Sequence, residues 1–250
     1  MDVVGDLLAR DRRSRDVALV TADGRERTYH DLITNAYKAA NVLRYLGVRH
    51  GATVAIDPTP RFHTTLAFLG AAALGAAVRF DPHAGIEAGD RAVLVAVADE
   101  PQTTPKPGTN LVAFGGPPQR PETTHWEQEL WSENPGMPPT AVDPNDPLIT
   151  DQSTAVSHGR LLELARFVVN NYAVDSETRI VLRTDFAEPG AIAAGVVAPL
   201  TLGATTVLTV PRTSVSHGET PTESGDVAVT PDQNSPAPEA RRIALSTLMG

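Results

Sequence analysis

The chain has 250 residues, 30 acidic side chains against 21 basic ones, and a net charge of −9. That length suits one domain with a substantial core or two smaller lobes, and a hydrophobic content of 41% excludes global disorder. The acidic balance argues against a nucleic-acid binder, and the absence of cysteine removes disulfides, thiolate metal ligands and cysteine nucleophiles together.

The N-terminus, Met1-Asp2-Val3-Val4-Gly5-Asp6, carries acids and no apolar segment, so no signal peptide is expected. Val17–Val20 reads as a strand, and Asp23-Gly24 supplies the positive-φ turn of a hairpin. Thr28 with Asp31 makes a capping box for a helix carrying Leu32, Ala36, Ala39, Ala40, Leu43 and Leu46 on one face, stopped by Gly47. Residues 52–56 predict a strand, 62–74 a buried helix and 77–80 the next strand. Strand and helix alternating at this pace predict an α/β fold with mostly parallel sheets flanked by helices.

After Asp81 the rhythm weakens. Residues 92–98 and 111–114 have strand character, yet 11 of the 21 prolines lie between Pro101 and Pro147. Residues 99–147 are therefore expected to form a mostly irregular connection between a first lobe, 1–98, and a second α/β segment, 148–210. In that segment Leu161, Leu162, Ala165, Val168, Val169 and Tyr172 mark a helix face, and 180–182 a strand. Pro189 opens a helix ending at Gly203, and 204–210 returns as a strand. Residues 211–250 read as a low-complexity tail in which Val227–Val229 has strand character and Glu239–Met249 helix character. The uncharged stretches 62–78 and 189–211 are too polar or too interrupted by Pro199 and Gly203 to read as membrane spans, so a cytoplasmic protein with no membrane contact is expected.

Generic catalytic motifs are absent from the sequence. There is no G-x-x-x-x-G-K-S/T loop, and Lys38 and Lys106 are the only lysines. No G-x-S-x-G, G-x-G-x-x-G or H-E-x-x-H pattern occurs, and the histidines show no metal-ligand spacing. One polar cluster stands out, Asp151-Gln152-Ser153-Thr154 followed by Ser157-His158-Gly159 before a helix. Loop hydroxyls and free N–H groups at a helix N-terminus can bind an anion; alternatively Ser157 simply caps the helix and the rest is solvated loop.

The patterned segments together resemble the acyl-adenylate-forming superfamily of acyl-CoA synthetases, luciferases and nonribosomal peptide adenylation domains. The resemblance runs from Val17–Val20 through Asp23-Gly24-Arg25-Glu26-Arg27-Thr28-Tyr29, Leu46-Gly47-Val48-Arg49-His50-Gly51 and Leu66-Ala67-Phe68-Leu69-Gly70 to Asp81-Pro82. It resumes at Asp146-Pro147-Leu148-Ile149 and continues to Val210. The family's phosphate loop reads Ser/Thr-Ser/Thr-Gly-Ser/Thr-Ser/Thr-Gly-x-Pro-Lys-Gly. Here Thr150 to Ser157 reads Thr-Asp-Gln-Ser-Thr-Ala-Val-Ser, with no glycine, no lysine and an acid at Asp151.

The resemblance thus implies a vestigial nucleotide loop of Thr150, Ser153, Thr154, Ser157 and His158. It also implies an acyl-pocket position at Asp185-Phe186, where the neutral alternative is an ordinary strand-end turn. ATP with magnesium, or an acyl-adenylate, is the implied ligand. No catalytic residue, metal ligand or certain cofactor is assigned. The family's adenine, ribose and magnesium motifs and its catalytic lysine have no counterpart before Gly250. The expectation is a catalytically silent, truncated relative acting as a ligand- or partner-binding protein. The alternatives are one half of a split ligase and a residual acyl-CoA synthetase-like activity. A protein partner or homo-oligomer is expected to cover faces uncovered by truncation. The loop 150–158 and the turn after Leu182 are expected to meet at the C-terminal ends of the strands.

Overall fold

The computed structural model describes residues 1–151, 154–209 and 224–248. Short 3-10 turns at Val4–Leu8 and Arg10–Arg12 precede β1 (Val17–Val20), β2 (Glu26–Thr28), α1 (Tyr29–Tyr45), β3 (Thr53–Ile56) and α2 (Phe62–Ala73). Next come β4 (Ala77–Arg79), α3 (Pro82–Ala88), β5 (Ala92–Ala96), β6 (Asn110–Phe114), β7 (Thr124–His125) and α4 (Trp126–Ser132). The chain continues through β8 (Pro147–Thr150), β9 (Ala155–Ser157), α5 (His158–Asn171) and β10 (Arg179–Leu182). It closes with α6 (Pro189–Ile192), a π-helical turn (Ala193–Val197), α7 (Ala198–Leu202), β11 (Thr205–Leu208), β12 (Val227–Thr230), β13 (Arg241–Ala244) and α8 (Leu245–Leu248). Two compact units interleave along the chain: Met1–Ile33 with Thr59–Phe62 and Gly159–Gly250, and Thr34–Pro58 with His63–His158. Among the described residues no helix is long and apolar enough to cross a membrane.

The first unit holds a six-stranded sheet in the order β13-β12-β10-β11-β1-β2, parallel except for the β1–β2 hairpin. Parallel strands need crossover connections, which bring helices onto the sheet and bury both faces. Ile180, Val181, Leu182, Val227, Ala228 and Val229 are accordingly buried throughout. The capping box at α1 forms as expected: Asp31 N–H donates to Thr28 Oγ1 (3.1 Å) and Asp31 Oδ2 accepts the Thr28 N–H (3.2 Å).

The helical stretch from Pro189 to Leu202 contains a consequence of its own proline. Pro199 has no N–H to return to the Gly195 carbonyl four residues back. That carbonyl accepts instead from Thr206 Oγ1 of β11, 2.8 Å away and buried. Gly195 also permits the close approach to β10, because a Cβ there would lie 2.7 Å from Leu182 Cδ1. The π-helical turn sits on this junction, the kind of ladder irregularity that follows from an interrupted i→i−4 series.

The second unit holds a seven-stranded sheet, β7-β6-β5-β3-β4-β8-β9, parallel apart from the β8–β9 hairpin. All five residues of β5 are buried. Helix packing is close because small residues allow it. A Cβ on Gly70 of α2 would meet the Ala40 backbone nitrogen of α1 at 2.8 Å, and one on Gly85 of α3 would meet Ala55 Cβ of β3 at 2.2 Å.

Several expectations are corrected. Glu239–Met249 is not one helix: Arg241–Ala244 form β13, pairing in parallel register with Val227–Thr230, and only Leu245–Leu248 turn helical. Sheet pairing overrides the helix propensity of arginine and alanine there. Of the 211–250 tail, residues 211–223, Met249 and Gly250 lie outside the described residues, while 227–230 and 241–244 are sheet. Residues 99–147 hold β6, where strand character at 111–114 is expected, and beyond it β7 and α4, the last anchored by Trp126 and Leu130, both buried. Replacing Thr206 by Val removes the donor to the Gly195 carbonyl at nearly constant volume. It should cost about 1–3 kcal/mol, read as a lower urea midpoint with unchanged slope.

Candidate functional site

The segment Thr150–Ser157 folds as a hairpin. Thr150 pairs with Ala155 and Ile149 with Val156. Gln152 and Ser153 lie outside the described residues, so the candidate Ser153 has no place in the geometry. Asp151 closes the turn with its own side chain. Oδ1 accepts the Thr154 N–H (2.7 Å), Oδ2 accepts the Thr154 hydroxyl (2.8 Å), and the Asp151 N–H donates to the Thr154 carbonyl (3.0 Å). Short polar side chains commonly close turns in this way. Here the carboxylate takes the two donors of Thr154, which an anion-binding turn would present to its ligand.

The candidate residues separate along the hairpin. Thr150 and Thr154 are at its tip, whereas Ser157 pairs with Pro147 at its base and His158 opens α5. Three residues of extended chain carry Thr154 and Ser157 about 10 Å apart. The His158 side chain is fully buried and its N–H donates to the Asp146 carbonyl (3.2 Å). Sequence reading missed the base itself. The Asp146 carboxylate accepts the Asp143 N–H (2.8 Å) and lies 2.7 Å from His50 Nε2. The Asp143 N–H, then the His50 imidazole, hold the Asp146 carboxyl below its ordinary value. No local pattern signals this pair, because 96 residues separate its members.

Asp185 and Phe186 belong to the first unit, in the turn after β10. Phe186 is fully buried, and Asp185 Oδ1 accepts the Ala187 N–H (3.0 Å). The turn is held from beneath by Arg183, whose Nε donates to Glu239 Oε2 (2.7 Å) while its terminal nitrogen donates to Oε1. The Glu239 side chain is completely buried. Burial pushes its carboxyl up, but the hydrogen bonds and charge of Arg183 outweigh that and leave it below the ordinary value. Phe186 is thus a core residue, and Asp185 a turn residue, of this unit.

The second unit also has a cleft of ≈ 700 Å³ with Tyr45, Pro117, Pro118, Arg120, His125 and Glu129 in its wall. Arg120 is committed to Glu122 and to the carbonyls of Pro101 (3.1 Å) and Thr103 (3.2 Å). Among the described residues no group of three or more His, Asp or Glu side chains is placed to hold a metal ion.

Two consequences are measurable. A carboxyl that titrates below its unfolded value, about 3.9 for Asp, stabilises the fold above that value and loses its contribution as pH falls through the folded one. Asp146 is such a group, so Asp146→Asn should flatten the acid limb of stability below about pH 4, measured by urea unfolding across that range. Arg183→Met leaves the buried Glu239 carboxylate without its cation and should cost about 3–5 kcal/mol, measured the same way at neutral pH.

Comparison with known proteins places these observations. Residues 8–149 match the family described as AMP-binding enzyme, and the match stops one residue before Thr150. No curated protein sequence matches the chain. Among solved structures, an anthranilate CoA ligase in complex with anthranoyl-AMP superposes with a TM-score of 0.78 at 18% identity, over 92% of this chain and 50% of that one. A benzoate CoA ligase from Burkholderia xenovorans gives 0.71 at 20% identity, over 97% and 55%. A Mycobacterium tuberculosis fatty acyl CoA synthetase gives 0.70 at 17%, over 92% and 49%. The chain spans about half the length of these ligases, and its two mostly parallel sheets are those of their large N-terminal domain. With more than half of its length matched, the chain belongs to the AMP-binding enzyme family.

Proposed function

We propose that this chain is a catalytically silent member of its family that binds a small ligand or a protein partner rather than adenylating a carboxylate. The observation that carries the reading is the turn at Asp151. Adenylation requires donors and cations preorganised around the transferring phosphoryl groups. In the family these come from a glycine- and lysine-bearing loop. At the corresponding place Thr154 spends its N–H and its hydroxyl on Asp151, and no lysine lies between Lys106 and Gly250.

Electrostatics supports the same reading. A triphosphate brought against Asp151 would meet like charge at roughly 4 Å, a repulsion of about 4 kcal/mol per contact at an effective dielectric of 20. Backbone N–H groups repay such repulsion only when they are free to point at the phosphate. A member that keeps the two mostly parallel sheets without a phosphate loop still has the C-terminal strand ends at which α/β proteins hold ligands. That geometry suits binding without group transfer.

Calorimetric titration of the full chain with Mg·ATP, and separately with a non-hydrolysable acyl-adenylate mimic, tests this. The expected result is no saturable heat with either, and no rise in melting temperature. A ligand at 100 times its dissociation constant would add about 2.7 kcal/mol of stability, so the melting curve checks the calorimetry independently. Saturable binding of either compound would overturn the reading in favour of an adenylating half-enzyme.

A further inference from the structure

The β8–β9 hairpin is attached to its sheet through a narrow connection. β8 pairs with β4 at a single register position, Val78 with Ile149, and the tip residues Asp151, Thr154 and Ala155 are exposed. Leu148 and Ile149 anchor β8 in the core, whereas β9 pairs with β8 alone. Two antiparallel strands alone are marginal in water, so the order of the outer part of the hairpin depends also on what holds its base. Three contacts converge on Asp146, the residue just before β8. Its carbonyl accepts the His158 N–H at 3.2 Å, closing the hairpin's two ends on each other. Its Oδ2 accepts the Asp143 N–H at 2.8 Å and pairs with His50 Nε2 at 2.7 Å.

The His50 ring is seated by a glycine. A Cβ on Gly75, which has φ +64°, would lie 2.5 Å from His50 Cδ2, so no other residue at position 75 leaves room for the imidazole as it stands. Val142, from the segment leading to Asp143, flanks the same glycine, a Cβ on which would be 3.2 Å from Val142 Cγ2. The turn before β3, the turn before β4 and the approach to β8 therefore meet around one imidazole–carboxylate contact.

We infer that His50 and Asp146 form a proton-dependent clasp that sets how often the β8–β9 hairpin opens. The inference rests on the reading of this hairpin as the family's altered nucleotide loop only for its functional meaning; the clasp itself is geometric. Asp143 turns its carboxylate to Asn145, accepting its N–H at 2.8 Å and its side-chain amide at 2.9 Å. Arg49, beside His50, is committed to the carbonyls of Arg44 and Val48. His158 faces Asp146 from the start of α5 and favours its ionised form. With His50 neutral, the contact is an ordinary hydrogen bond; with His50 protonated, it becomes a charge-assisted one and the hairpin base tightens. The pair is partly solvent-exposed, at 51% and 20% of the side-chain surfaces, so the effect is modest in size and local in reach.

Amide hydrogen exchange on the full chain without ligand tests the clasp. Protection factors for 148–150 and 155–158 are followed from about pH 8 to about pH 5.5, the span over which histidines gain a proton, with Val93–Val95 of β5 as the internal reference. In the wild type, hairpin protection should rise about two- to fivefold toward the lower pH relative to β5. His50→Ala should abolish the rise and lower protection at every pH. His50→Gln, whose amide still donates to the carboxylate, should restore part of the protection without the pH dependence. A wild-type hairpin with no such rise, or an equal rise in His50→Ala, overturns the inference. Exchange is read without nucleotide, so heat with Mg·ATP would defeat the functional reading and leave this one standing, and the converse holds too.

Discussion

Parallel strands cannot be joined by tight turns, and this constraint shapes the whole chain. Each strand that is to lie parallel to the last must be followed by a crossover long enough to return the chain to the same end of the sheet. The crossover is usually a helix, and helices on the faces force the strands to be apolar on both sides. β3, β5 and β10 are buried runs for that reason. The hairpins are the exceptions, and they lie at sheet edges. β1–β2 ends one sheet and β8–β9 the other. An edge hairpin is free of the two-face burial requirement, so its turn can change chemistry without disturbing the core.

The legible parts of the fold were those whose local signals agreed with the tertiary outcome. Thr28 and Asp31 announce α1 because a capping box satisfies helix donors within four residues of sequence. Gly47 and Gly203 stop helices at φ +88° and +82°, a conformation that glycine adopts without a Cβ penalty. α3 carries the same kind of signals: Asp81 caps it, Pro82 opens it and Gly89 closes it at φ +83°. Its shortness, from Pro82 to Ala88, left no apolar period to notice. β13 was illegible for a different reason. Arg241-Arg242-Ile243-Ala244 has no strand propensity worth the name, and its register against β12 supplies the hydrogen bonds that decide its conformation.

The candidate site shows the same division. That Thr150–Ser157 lacks the glycines and lysine of a phosphate loop is readable directly from the residues. That Asp151 spends both oxygens on Thr154 is not, since a lone acid in a polar loop is equally compatible with a solvated side chain. Ser157 and His158 looked adjacent to the loop in sequence, yet extended geometry moves them to the far end of the hairpin. Phe186 is a pocket position only by what the resemblance implies, with an ordinary strand-end turn as the alternative. Burial at 0% exposure makes it part of its unit's packed interior, where losing the ring costs about 3–5 kcal/mol.

Charge placement in this chain favours fixed partners. The chain has a net charge of −9 and nearly all of its cations are arginine, whose planar fork suits fixed carboxylate and carbonyl partners. Two of the arginines are so used: Arg183 is locked to Glu239, and Arg120 to Glu122 and two carbonyls. Neither is a mobile counter-ion for a phosphate. The carboxylate that closes the turn and the arginines that brace other loops act in the same direction. Together they make each of these loops more self-sufficient, its polar groups satisfied within the chain.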